Sequence, residues 1–406
     1  MRRKWGRFVL NKIDRRFPPS AQRRLTAALA GLLTCLVLIL LLEKNRGAAL
    51  RIFFLSPLQL PQGLGGLISA ATPVVLVALA FSTVFQCRRY SFAPVGSFLL
   101  SASLVTIFLL RGGDRPSWYL VPVALLLSIL IGALVSLLPG ALLVRRKINL
   151  TLSSLLLDYL ILQIVAFLLA TVMRDGSGMD TLASFAIPER MWLAPLIPSM
   201  NIRMGTLLAA LATVLMYLLL NRSRIGYGIR AVGASESLAG YVGLNAAKIS
   251  LAAQMIGGAL AGLAAAIEMM GIQPRYIWEA KFPPAVFLGL LAAVFYDYNP
   301  AWVSLGALFF TYLWEGSSAL ESATLFSSEL GLAAGAVTIL VLFALRDIAV
   351  FDRLAALLGR APAKAAPLPA QESPAAAQPD LPEDTEAEQQ ELLDDDDGES
   401  EEEADQ

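Results

Sequence analysis

Apolar runs long enough to cross a lipid bilayer dominate this sequence, and they leave few architectures open to it. A spanning helix needs about 20 predominantly apolar residues. Leu25–Leu42, Leu64–Phe85, Phe92–Leu110, Trp118–Val144 and Leu150–Met173 are of that order. After a polar segment come Arg203–Leu220, Leu251–Gly271, a short piece Pro284–Phe295, Ala301 to about Gly316, and Leu330–Leu345. Lipid offers no partners to backbone N–H and C=O groups, so each crossing must satisfy its own, and helices do so. The expectation is an all-α polytopic membrane protein of about ten transmembrane helices, some of them broken or re-entrant. Residues 25–350 then form one transmembrane domain.

Charge tests that reading. The chain is 56% hydrophobic and 16% charged, and soluble domains run nearer a quarter charged. Its 32 basic and 32 acidic residues cancel only because half of the acidic ones lie beyond Gln371. With the amino terminus in the cytoplasm, that side receives Arg2 to Arg24, Arg88 and Arg89, Arg145 to Lys147, Arg222 to Lys248, and Arg346 onward. It then carries roughly twice the Lys and Arg of the outer side, as the positive-inside rule requires, and both termini are expected in the cytoplasm. Residues 1–24 read as a basic cytoplasmic segment, followed by an uncleaved anchor because Glu43, Lys44, Asn45 and Arg46 occupy the place of a cleavage site. Residues 361–406, rich in Ala and Pro and then acidic, hold too few large apolar side chains to offset the entropy of ordering and are expected to be disordered.

Proline marks two irregular crossings. Pro73 interrupts the second, and Pro283 and Pro284 begin a segment too short to span, in the manner of a half-helix. Such elements either line a pathway or are simple proline kinks. Polar side chains inside the apolar runs are the other pathway candidates: Ser153, Asp158 and Gln254, with Gln163 and Glu268 similar cases. Asp158 also reads as a cap or pair near the cytoplasmic end, and Glu268 as a group close enough to the outer surface to be wet. Gly257, Gly258 and Gly262 suit close helix packing, and Trp192, Trp278 and Trp314 an interfacial belt.

Enzymatic chemistry finds little support. The chain has no histidine, two cysteines (Cys35 and Cys87) and no G-x-x-x-x-G-K-[ST] loop, so no metal site, triad or nucleotide cradle is expected. The informative stretch is Asn221–Ser250, a long cytoplasmic loop punctuated by Gly226, Gly228, Gly233, Gly240 and Gly243, in which Ser235 is placed to cap a short helix from Glu236 to Ala239. On its residues alone it is either an ordinary connection or a docking element.

The run G-I-R-A-V-G at Gly228–Gly233, with Gly243 and Asn245, and then G-A-L-A-G-L at Gly258–Leu263, resembles the permeases of bacterial ATP-binding-cassette importers for nucleosides and simple sugars, a branched-chain amino acid permease-like family. Asn149–Leu160 adds a weaker match, and the resemblance extends over roughly Ala71 to Arg346. It implies that Gly233, Ala234, Ser235, Glu236, Ser237, Leu238, Ala239, Gly240 and Gly243 couple the chain to a separate ATPase. ATP and Mg belong on that partner and no cofactor on this chain. The other implied partners are an extracytoplasmic substrate-binding protein, a second permease copy or paralogous permease, and membrane lipid, with no nucleic acid; the implied location is the bacterial inner membrane. Where the family commonly has F-N-I-G-x-E-G-Q, this chain has Tyr90 to Ser97; Gly96 alone is kept, and Ser91 and Gly96 join the pathway candidates. The expected function is passage of a small polar solute, a nucleoside or simple sugar. An ion-coupled secondary transporter, with Asp158 and Glu268 in an ion path, and a non-transporting scaffold are the alternatives.

Overall fold

The computed structural model describes residues 19–346, apart from Lys44, Leu60, residues 113–115, 176–181, Pro274, residues 279–281 and 325–326. Residues 1–18 of the expected basic segment lie outside the described residues, as does the whole acidic tail, while residues 19–24 are helical. Thirteen α-helices follow in order among the described residues: α1 Pro19–Leu42, α2 Arg46–Leu55, α3 Gln62–Gln86, α4 Ala93–Arg111, α5 Ser117–Arg146, α6 Leu150–Leu168, α7 Met204–Arg222, α8 Arg224–Ala234, α9 Glu236–Tyr241, α10 Ala246–Gly271, α11 Pro284–Phe295, α12 Pro300–Ala323 and α13 Glu329–Arg346. A π-helical turn, Leu169–Met173, extends α6. A two-stranded antiparallel hairpin pairs β1, Pro195–Ile197, with β2, Ile202–Arg203.

Each expected crossing is matched by a helix. Seven of them, α1, α3, α4, α5, α6 with its π turn, α7 and α10, are long and apolar enough to cross a membrane. Asparagine fixes several starts: the Asn149 carboxamide accepts from the Thr151 and Leu152 N–H groups at α6, and Asn299 accepts from Ala301 N–H at α12, ahead of Pro300 at its first position. These bonds satisfy helix-end donors that hydrocarbon would leave stranded.

Packing divides around α3. One face, with Leu76, Val77, Ala80, Phe81 and Val84, joins a core built with α4, α5, α6, α7, α8 and α10. The other, through Val74 and Ala78, joins α1, α2, α11, α12 and α13. The closest approach is between α5 and α10: a Cβ on Gly132 would stand 2.2 Å from the Gly258 carbonyl oxygen, and one on Gly262 2.1 Å from that of Ser128. Ser97 of α4 completes this contact by donating to the Gly132 carbonyl at 2.9 Å and lying 2.9 Å from the Ser136 hydroxyl. Small side chains here trade apolar bulk for backbone proximity, the usual means of holding helices together in lipid.

Three expectations are corrected, and one helix is added to them. Pro73 does not interrupt its crossing: α3 runs through it, with Pro73 buried and the adjacent Thr72 hydroxyl bonded to the Ile68 carbonyl at 2.9 Å. Asn221–Ser250 is not a long loop but the end of α7, all of α8 and α9, and the start of α10, because Ser223 and Asn245 cap α8 and α10. Glu268 is buried rather than wet. Segments around Leu182–Arg203 and Arg275–Trp278 fold over it, joined by Ser184 N–H to the Tyr276 carbonyl and Trp278 N–H to the Leu182 carbonyl, both 2.8 Å, and Gln273 donates to Glu268 Oε1 at 2.7 Å. Burial, and then the Glu268 carboxylate, push the Tyr276 phenol above its usual range. Finally, α2 was not anticipated; it buries Ala49 and Phe53, and the Tyr312 hydroxyl of α12 donates to the Phe54 carbonyl at 3.0 Å.

Candidate functional site

Two groups of polar contacts stand out, and both involve the ends of α3 and α4. The first is built on α8 and α9. Ser223 starts α8 by accepting from Gly226 N–H at 3.1 Å. At the far end of α8, Gly233 lies so close to α3 that a Cβ would stand 2.0 Å from the Gln86 carbonyl oxygen. Only glycine fits this backbone contact. Ser235 is extended (φ −160°) and separates α8 from α9. Its carbonyl accepts from Ala239 N–H at 3.0 Å, and its hydroxyl lies 3.0 Å from that of Ser237. Glu236, on the first turn of α9, pairs with Arg89 at 2.6 Å. Arg89 belongs to the turn between α3 and α4, so α9 is tied to the same helix end that Gly233 touches.

Gly243 closes α9 with φ +80°, and Leu244 N–H reaches back to the Ala239 carbonyl at 2.9 Å. Ala239 is buried, whereas Ala234, Ser237 and Gly240 are exposed. Just past them Tyr241 is 89% and Val242 68% exposed, a pair of large apolar side chains turned away from the protein. Beneath the element, Cys87 is buried, and its thiol is pushed up to about 11 by that burial, with opposing smaller effects of Arg89 and Glu236.

The end of α3 is also fastened to the turn between α11 and α12. The Tyr298 carbonyl accepts from Gln86 Nε2 at 2.6 Å and from the Ser82 hydroxyl. Phe85 packs edge-on against Tyr298 and Tyr90, with centroids 5.3 and 5.2 Å away. Arg24 of α1 pairs with Asp297 in that turn at 2.8 Å.

The second group joins α6 to the start of α4. Thr151, Ser154 and Asp158 lie along one stripe of α6. The Thr151 hydroxyl donates to the Tyr90 carbonyl at 2.6 Å, Ser154 Oγ accepts from Phe92 N–H at 2.9 Å, and Asp158 Oδ1 accepts from Gly96 N–H at 2.9 Å. Ser91 accepts from Ala93 N–H at 3.2 Å within the same turn. A carboxylate at a helix N-terminus is favoured by the dipole there as well as by the bond itself. Asp158 is thus a cap, as one sequence reading held, although the helix it caps is α4 and not its own. Its Oδ2 is buried with no hydrogen-bond partner among the described residues.

The structure therefore brings Ser91, Gly96 and Asp158 together. Ser153 is apart from them, bonded to the Leu150 carbonyl at 3.1 Å. Gln254 is buried against Gly140 of α5, its amide without a hydrogen-bond partner among the described residues. Pro284 is the first residue of α11, which packs on α3 where Gly289 meets Val77. Gln86, Arg89, Tyr241 and Val242 escaped sequence reasoning. The basic pair Arg88–Arg89 hinted at its acidic counterpart; nothing local marked Gln86.

The described geometry can be set beside known proteins. Residues 63–345 match the family model described as branched-chain amino acid transport system / permease component. The nucleoside ABC transporter permease protein NupB of Lactococcus lactis subsp. cremoris is 22% identical over 276 residues, covering 66% of this chain and 76% of NupB. The guanosine ABC transporter permease protein NupP of Bacillus subtilis is 25% identical over 57% of this chain and 66% of its own length. The glucose ABC transporter permease protein TsgB13 of Haloferax volcanii is 27% identical over 67% of this chain and 73% of its own.

Proposed function

The chain belongs to the permease-component family of branched-chain amino acid transport systems and is a multi-pass inner-membrane transport protein; from that premise we propose that it forms the solute pathway of an ATP-driven importer. The solute is a nucleoside or simple sugar, in keeping with the names of its relatives. ATP and Mg are bound by a separate ATPase subunit, an extracytoplasmic binding protein delivers the solute, and a second permease, identical or paralogous, completes the pathway.

The observation that carries this reading is the mounting of α9. Tyr241 and Val242 offer apolar anchors for a partner at the cytoplasmic face, while Gly233 on Gln86 and Glu236 on Arg89 join the same element to α3. Force applied by a partner at α9 thus reaches α3, and through the bonds of Ser82 and Gln86 to Tyr298 it reaches α11. Exposed aromatic and aliphatic side chains at the centre of a small patch are typical anchors of a protein interface.

The test is co-purification of the ATPase with the full-length chain in detergent. Tyr241→Ser together with Val242→Ser is expected to release the ATPase while membrane insertion is unchanged. Retention of the ATPase at the unmodified ratio refutes the docking assignment.

A further inference from the structure

Among the described residues of α6, one lipid-length face combines aromatic and amide side chains at a depth where neither suits hydrocarbon. Tyr159 is 56% exposed, and Gln163, one turn further on, is also exposed. They lie nine and thirteen residues beyond the start of α6, or about 14 and 20 Å along its axis, which brackets the middle of a core about 30 Å thick. An amide facing acyl chains at that depth is costly unless something polar meets it.

The half-helix α11 arrives at the same place. Its lower end is held to the end of α3 through Tyr298, and its 12 residues rise only about 18 Å, so its upper end stops near the midplane. There Phe282 lies edge-on to Tyr159 with ring centroids 5.3 Å apart, and Phe287, 41% exposed, lies 6.2 Å from Phe282. The backbone at Phe282–Pro283 is not helical, and such backbone at membrane depth persists only against protein or a water-filled cavity.

We propose that Tyr159, Gln163, Phe282 and Phe287 form the solute-contacting surface of the pathway, the rings stacking on the flat face of a ring-shaped solute and the Gln163 amide bonding its hydroxyl or exocyclic groups. The inference rests on the importer reading above and names a surface for it of which the sequence candidates included Gln163 alone. Aromatic faces joined to a few polar groups suit both a nucleobase and a pyranose, for which apolar ring faces alternate with hydrogen-bonding edges. Lipid would be met better by leucine at Tyr159 and Gln163.

The experiment uses the complete transporter, with its ATPase and binding protein, in proteoliposomes. Gln163→Cys and Leu130→Cys, the latter an outward-facing control on α5, are exposed to a charged methanethiosulfonate in nucleotide-free and vanadate-trapped states. Gln163→Cys is expected to react at least tenfold faster in one of the two states, and saturating guanosine or glucose, whichever is transported, is expected to slow it. In parallel, Tyr159→Ala is expected to raise KM for uptake about tenfold with the ATPase still bound. Equal labelling rates in both states would place this face in lipid and overturn the proposal. A disulfide joining Gln163→Cys of two copies would assign the face to a copy interface, with the same effect. Labelling without protection by the transported solute, together with an unchanged KM, also overturns it. Failure of the unmodified transporter to take up either solute counts against the function proposed above, and the labelling comparison then decides this inference alone.

Discussion

Gly233→Ala is the most demanding perturbation of the α9 mounting. The added Cβ would stand 2.0 Å from the Gln86 carbonyl oxygen and 3.1 Å from its carbonyl carbon, both backbone atoms of a buried helix that cannot rotate away. To reach the closest approach real side chains show, α8 must withdraw from α3 by about 1 Å, and overpacking of that kind costs about 1–3 kcal/mol. Glu236 begins α9 three residues later, so the Arg89 pair and the exposed Tyr241 shift with it. If that strain falls only on the state in which α9 and α3 move as one, coupling weakens by roughly 5- to 150-fold. The assay is solute taken up per ATP hydrolysed in proteoliposomes, with Gly240→Ala as comparison because a Cβ there meets nothing within 4 Å. Gly233→Ala is expected to keep ATP hydrolysis and to lose most of the uptake per ATP, whereas Gly240→Ala keeps both. Equal uptake per ATP in the two variants would refute the mechanical link.

Other outcomes follow from the same geometry. Arg89→Glu is expected to leave thermal stability within about 1 kcal/mol, as exposed pairs contribute little, yet to lower uptake, and Glu236→Arg in the same chain to restore it; no rescue in the double variant would dismiss the pair as incidental. Asp158→Asn keeps an acceptor for Gly96 N–H and should sustain uptake, whereas Asp158→Leu should cost about 1–3 kcal/mol of stability by stranding that donor. Loss of uptake in Asp158→Asn with stability intact would favour an ion path instead. Gly132→Val should insert but melt early or aggregate in detergent, since the Gly258 carbonyl allows no side chain; an unchanged melting temperature contradicts that packing. Removing residues 363–406 should leave uptake intact, measured in the same vesicles.

The apolar runs were legible because a crossing is specified by length and composition within one stretch of chain, and α1, α3 to α7 and α10 to α13 follow them closely. What failed depended on distant partners. α2, with 10 residues, is too short to stand out as a crossing and is completed by α12, which follows it by some 250 residues. Glu268 looked wet because its position near a helix end was visible, while the segments that cover it were not. Asp158 was recognised as costly and near a cap, but the start of α4 could not be named as its destination from sequence. The glycines of Asn221–Ser250 suggested a loop, whereas Ser223 and Asn245 were not read as the helix starters they are. At Gly233 the lack of a side chain serves contact with a neighbour rather than a turn, which local pattern cannot distinguish.

The glycine and serine seam among α4, α5 and α10 has a consequence for how any motion is distributed. Backbones this close have no side-chain layer to rearrange, so these three helices cannot slide past one another by swapping rotamers. They behave as a single stiff plank. Any displacement would then fall to the elements around it, among them α6 with its exposed outer face and the truncated α11.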